Sequence, residues 1–156
     1  MTDVAAIPVL DLTTASSGAL CRRRFRAHRG LLRGRGLLGI MLLVALLAAL
    51  TVAGLPTDRF LFAGFPPATG AARRQWLAAL KTVPATLVFY ESPKRLAEML
   101  ADLAEVFGPN RECAVARELT KRFEEVSRGN IGALAAQFFE HPVKGEVVVL
   151  VDRPEE

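Results

Sequence analysis

The stretch Thr86-Leu87-Val88-Phe89-Tyr90-Glu91-Ser92-Pro93-Lys94-Arg95 decides the fold. It opens as a short apolar run rich in β-branched and aromatic residues, the pattern of a buried strand, and turns polar within two residues. Pro93 disfavours helical geometry at Ser92 and suits the first position of a new helix, so Ser92 is read as its N-cap. Leu96, Met99, Leu100, Leu103 and Phe107 then recur at helical spacing until Gly108-Pro109 stops the helix. Tyr90, Glu91, Ser92 and Arg95 are therefore expected at the C-terminal end of a strand, beside a helix N-terminus. Open α/β sheets place ligands there.

Working outward, the same alternation continues. Phe60 to Phe65 reads as a strand, Pro66 to Gly70 as a turn, and Ala71 to Lys81 as a helix. That helix is expected to turn Trp76, Leu77 and Leu80 inward and Arg73 and Arg74 outward. Glu112 to Arg117 reads as a third strand and Phe123 to Ser127 as a fourth. Asn130 caps a helix whose Ile131, Leu134, Ala135, Phe138 and Phe139 share a face, closed by Pro142. Val147 to Val151 is wholly apolar, as a strand buried on both faces requires. Strands alternating with helices indicate an α/β domain with a mixed five-stranded sheet layered with helices.

The chain of 156 residues carries a formal net charge of +4, but the charge is unevenly placed. Residues 1–36 hold Arg22, Arg23, Arg24, Arg26, Arg29, Arg33 and Arg35 against Asp3 and Asp11, a net of +5, so the remainder is close to neutral at −1. Basicity therefore does not by itself point to nucleic acid. Residues 1–36 read as a poorly organised basic arm, with contact to RNA or membrane as the sharper alternative. Cys21 and Cys113 lie far apart with no paired spacing, which argues against a disulfide framework or a zinc site and fits a reducing cytosol.

Leu37 to Leu55 contains nineteen consecutive residues without a charge. Hydropathy alone reads this as a membrane span with the arginines on the cytoplasmic side. The competing reading is a buried helix over 42–53, ended by Gly54 and Pro56, whose alanines suit close packing on a sheet. The pattern leaves both open.

A second abrupt switch from apolar to charged follows Cys113-Ala114-Val115-Ala116, in Arg117-Glu118-Leu119-Thr120-Lys121. Glu124-Glu125 and Arg128-Gly129 come close behind. One reading is a solvated rim of paired charges. The other is a polar cleft built with Tyr90-Glu91-Ser92, which requires the two strands to be adjacent.

The wording of these segments adds to their pattern. Gly54-Leu55-Pro56-Thr57-Asp58-Arg59-Phe60, Gly64-Phe65-Pro66, Phe89-Tyr90-Glu91-Ser92-Pro93 with Arg95, Ala116 to Lys121, Arg128-Gly129 and Lys144-Gly145-Glu146 occur in one order and spacing. Together they resemble the bacterial small-subunit ribosomal RNA cytidine 2′-O-ribose methyltransferases of the tetrapyrrole-methylase superfamily. The resemblance runs from about Ala45 to Val151 and covers the second half of that family's chain. It implies a two-domain enzyme that binds S-adenosylmethionine between its halves, works as a homodimer and acts on small-subunit rRNA in the cytoplasm. It also favours the buried helix over the membrane span.

Departures from the family are equally specific. Its first-half cofactor loops do not occur here, and Met41-Leu42-Leu43-Val44 stands where the family has Pro-Gly-x-Ser. Residues 1–44 thus look foreign to it, as a frameshift, a mis-called start or a truncated gene produces. Lys94 replaces the family's usual histidine. Ribose methylation needs an aligned hydroxyl and an acceptor for its proton. By resemblance, Glu91, Glu118 and Lys121 are the catalytic candidates, and Tyr90, Ser92, Arg95, Arg117 and Thr120 the candidates for positioning RNA. Cofactor-binding residues are left unassigned and no metal is expected. The expected organisation is a basic arm over 1–36, an apolar helix over 37–55 and an α/β domain over 56–156. The chain is expected to be inactive alone, the alternatives being a membrane-anchored α/β protein and a non-catalytic RNA-binding remnant.

Overall fold

The computed structural model describes residues 39–41 and 43–154; the expected basic arm over 1–36 lies outside the described residues. The architecture belongs to the unit Leu42–Glu156. Residues 43–53 form a helix, α1. There follow β1 (Phe60–Gly64), α2 (Gly70–Ala78), β2 (Thr86–Glu91), α3 (Leu96–Phe107), β3 (Glu112–Arg117), β4 (Glu125–Asn130), α4 (Ile131–Glu140) and β5 (Val147–Val151).

The strands form one sheet in the order β1-β2-β5-β3-β4. β1 pairs parallel to β2, and the remaining pairs are antiparallel. The last strand of the chain thus inserts into the middle of the sheet. Every residue of β2 and β5 is buried, which accounts for the unbroken apolar run of β5 and for Leu87 to Phe89 in β2.

Alternation along the strands divides the core into two layers. On one face Leu87, Phe89, Cys113, Val115, Val147, Val149 and Val151 meet Leu77 of α2, the apolar stripe of α3, and Ile131, Leu134 and Phe138 of α4. On the other, Val88, Tyr90, Ala114, Ala116, Val148 and Leu150 meet Leu46, Ala49, Leu50 and Ala53 of α1. These four recur at i, i+3, i+4 and i+7, so residues 43–53 are a helix packed on the sheet by one stripe. Among the described residues no helix is long and apolar enough to cross a membrane.

Three local expectations are corrected. Helix α3 begins at Leu96, with Arg95 rather than Ser92 at its N-cap position and no side-chain cap. Residues 92–95 instead make a turn closed by the Arg95 N–H on the Ser92 carbonyl at 3.0 Å, with Pro93 at the turn position its fixed φ suits. A missing cap costs about 1 kcal/mol, whereas each fully buried leucine of α3 contributes roughly 1.5–3 kcal/mol. Packing decides the helix. Secondly, Arg73 is not on the outside: it is 2% exposed, and its Nε donates to Asp102 Oδ2 at 2.6 Å. Thirdly, the fourth strand starts at Glu125, leaving Phe123 in the preceding loop. The cap of α4 is as expected, with Asn130 Oδ1 accepting from the Ala133 N–H at 2.8 Å.

Candidate functional site

The C-terminal ends of β2 and β3 and the N-terminal end of β5 meet at one edge of the sheet. Glu91 is in register with Val147, and Val147 with Arg117. The strands bearing the two charged segments are therefore not adjacent, as the cleft reading required. β5 lies between them, which puts their backbones roughly 10 Å apart at two strand spacings. They nevertheless run in the same direction and end on the same rim. The gap is filled by Lys144-Gly145-Glu146, the approach to β5.

On the β2 side, Glu91 is 5% exposed. Its Oε1 accepts from the Ser92 N–H at 2.6 Å and from Arg95 Nε and Nη2 at 2.9 and 2.5 Å. Its Oε2 is buried with no protein partner. Arg95 thus braces a carboxylate from the turn that ends β2, and one oxygen is left over.

On the β3 side, Glu118 takes a left-handed backbone, φ 48°, as does Thr120, φ 63°. Glu118 exchanges hydrogen bonds with Glu146: its N–H donates to the Glu146 carbonyl at 3.0 Å, and its Oε1 accepts from the Glu146 N–H at 2.8 Å. Lys121 Nζ lies between Glu118 Oε1 at 3.3 Å and Glu146 Oε2 at 3.0 Å. The hydrogen bond from Glu146 and then Lys121 hold the Glu118 carboxyl below its ordinary range. The bond to the Glu146 carboxylate, seconded by Glu118, raises Lys121. Gly145 permits this closeness, since a Cβ there would stand 2.4 Å from Glu118 Oε1.

Arg117 pairs through Nη2 with Glu125 at 2.5 Å, while its Nε is buried without a partner. The Thr120 N–H donates to Glu124 Oε2 at 2.8 Å. Tyr90 belongs to the layer facing α1, with the Phe62 and Phe65 rings 5.5 and 5.6 Å away. Burial raises its hydroxyl pKa, seconded by the charge of the nearby Glu146 carboxylate, which links it to this company. The expected residues thus fall into two groups, Glu91, Ser92 and Arg95, and Arg117, Glu118, Thr120 and Lys121, with Tyr90 in the α1 layer within the field of Glu146. Sequence reasoning missed Glu146 as the residue that ties the second group together. Its signal was a lone carboxylate immediately before the most apolar strand. No group of residues able to hold a metal occurs among the described residues.

The site therefore consists of polar strand ends on one rim of a five-stranded mixed sheet. The family model of the tetrapyrrole (corrin/porphyrin) methylases matches residues 43–135. The chain belongs to that family. Among solved structures, the methyltransferase CobJ superposes with a TM-score of 0.52 at 22% identity, covering 70% of this chain and 47% of CobJ. The cobalt precorrin-4 methyltransferase CbiF gives 0.52 at 14% identity, covering 68% and 47%. Both share the fold.

Curated relatives are nearer in sequence. Ribosomal RNA small subunit methyltransferase I of Mesorhizobium japonicum is 54% identical over 106 residues, 67% of this chain and 36% of that protein. The protein of the same name from Erythrobacter litoralis is 51% identical over 112 residues, 72% of this chain and 40% of its own length. The chain spans well under half the length of the curated relatives it matches.

Proposed function

We propose that this chain supplies the second-half surface of an S-adenosylmethionine-dependent 2′-O-ribose methyltransferase of small-subunit rRNA. The observation that carries the reading is the 54% identity, over 106 residues, to a protein named as an rRNA small-subunit methyltransferase. The rim's own chemistry fits a charged ligand. Glu91 Oε2 is a buried acceptor and Arg117 Nε a buried donor, both without protein partners, at the ends of strands that flank β5. These two residues would hold the polar groups of the cofactor, which when bound supplies an electrophilic sulfonium methyl.

The remaining roles belong to the chain's side chains. Arg95 and the Ser92 N–H fix the orientation of Glu91. Glu118, its carboxylate oriented by the Glu146 N–H and Lys121 Nζ, is the acceptor for the ribose hydroxyl proton. Lys121, with its charge maintained by the same pair, neutralises phosphate or sugar oxygens. Thr120 and Arg117 set the position of this loop, and Tyr90 supports the rim from the α1 layer. Two copies of the whole protein form a homodimer in this reading. The division into an arm over 1–36, an apolar helix over 37–55 and a domain over 56–156 belongs to the same proposal, as does cytoplasmic action on ribosomal particles.

The test is transfer of tritiated methyl from S-adenosylmethionine to unmodified small ribosomal subunits. The chain is assayed alone and mixed with the segment of the Mesorhizobium japonicum protein that it does not match. Incorporation is expected only in the mixture, with Glu118→Ala and Lys121→Ala reducing its rate about a hundredfold or more. An inert mixture, or rates unchanged by both substitutions, would overturn the reading.

A further inference from the structure

We propose that Phe123 and Arg122, in the loop between β3 and β4, form a stacking platform for an unpaired base of the RNA. The proposal rests on the substrate class read above and names a contact for it. Phe123 is 66% exposed in the loop beside the rim. The Arg122 guanidinium carbon lies 5.7 Å from the centre of its ring, and Arg122 makes no ion pair among the described residues. An aromatic face backed by an unpaired guanidinium is the arrangement that binds single-stranded nucleic acid by stacking and charge together.

The loop is built to hold that ring out. Leu119 is buried and anchors its first half in the α1 layer. Glu118 and Thr120 both take left-handed backbones, a conformation side chains other than glycine rarely adopt. The Lys121 N–H donates to the Glu118 carbonyl at 3.0 Å and the Glu124 N–H to the Lys121 carbonyl at 3.2 Å. Glu124 returns a carboxylate oxygen to the Thr120 N–H at 2.8 Å. Lys121 is tied to Glu118 and Glu146. Arg122 and Phe123 take no part in these bonds, and both are exposed. A base on Phe123 would lie over the same rim as Glu118 and Lys121, so the platform would seat a neighbour of the nucleotide whose ribose is modified.

The experiment is fluorescence anisotropy of the 156-residue chain with a labelled single-stranded RNA of about ten nucleotides at about 50 mM salt. A second strand of the same length carries abasic positions at its centre. Phe123→Ala is expected to weaken binding of the intact strand about fivefold or more and to leave the abasic strand unaffected. Phe123→Tyr should retain binding, and Arg122→Gln should flatten the logarithmic salt dependence by about 0.7. All variants should keep the wild-type melting midpoint, because the altered groups are largely in water. Equal binding of the intact strand by wild type and Phe123→Ala would overturn the platform, as would a wild type that ignores base removal or binds neither strand. If the platform fails while the methyl-transfer mixture is active, the methyltransferase reading stands. If that mixture is also inert, the reading itself has failed.

Discussion

Arg128 of β4 closes the C-terminal end of α1, its Nε donating to the carbonyl of Ala53 at 3.1 Å. The same guanidinium reaches the Val52 carbonyl from both Nε and Nη2. Gly54 takes a left-handed φ of 74° immediately after it, and its Cα side is open to the approaching side chain. The last carbonyls of a helix lack internal partners and carry its negative end, so a cation there satisfies both needs. Arg128→Ala should cost about 1 kcal/mol in denaturant unfolding. Loss of α1 packing on the sheet would follow, seen as faster amide exchange over residues 46–53.

A second prediction concerns Asp102, which collects Arg73 at 2.6 Å and Arg74 at 2.8 Å. Arg73 is nearly inaccessible, and its Nη1 has no partner even with the pair intact. Removing the carboxylate leaves the buried Arg73 only the exposed Glu98 carboxylate, 3.7 Å away, so Asp102→Ala should destabilise the chain by about 3 kcal/mol. The double variant Arg73→Met with Asp102→Leu should recover most of that loss, since apolar replacement of a whole buried pair is often close to neutral. Urea titration of both variants decides the matter.

The third prediction is steric. Gly145 has φ 97°, and a Cβ on it would overlap Glu118 Oε1, Cδ and Cγ at 2.4–2.6 Å. Gly145→Ala should therefore push Glu118 away from the Glu146 N–H and add left-handed backbone strain, a cost of about 1–3 kcal/mol. The measurement is thermal unfolding together with the Glu146 amide chemical shift, which should move even where the fold survives.

The pH dependence follows from the same bracket. Glu118 is held below its ordinary carboxyl range. Its contribution is complete above the unfolded value near ~4.3 and is lost as pH falls through the lower folded value. Lys121 is raised. Its contribution is complete below the unfolded value near ~10.4 and is lost as pH rises through the higher folded one. The Glu146 amide resonance should stay constant between these limits and shift at each end. Glu118→Gln should remove the acid-side transition and leave the alkaline one.

Much of this fold is written locally. The apolar runs at Thr86 to Tyr90 and Val147 to Val151, the stripe of α3 and the Asn130 cap each follow from spacing over a few residues. What spacing does not carry is the insertion of β5 between β2 and β3. That pairing joins residues such as Val88 and Leu150 across 62 positions, and no local preference specifies it. Arg73 was expected outside for a similar reason. Its place is set by Asp102, 29 residues further on, and without that partner a buried guanidinium is unfavourable. The rim residues themselves were legible as polar strand ends. Their grouping was not, because Glu146 joins Glu118 and Lys121 only through the inserted strand.

The central claim is that this chain presents one side of a cofactor cleft, and calorimetric titration with S-adenosylmethionine tests it most directly. A half-enclosed site leaves the ligand largely in water, and affinity depends on enclosed, desolvated surface. The 156-residue chain alone should give no saturable heat. Mixed with the unmatched segment of the Mesorhizobium japonicum relative, it should bind saturably, and Glu91→Ala in this chain should weaken that binding. Saturable, micromolar binding by the chain alone, unchanged by Glu91→Ala, would contradict the account.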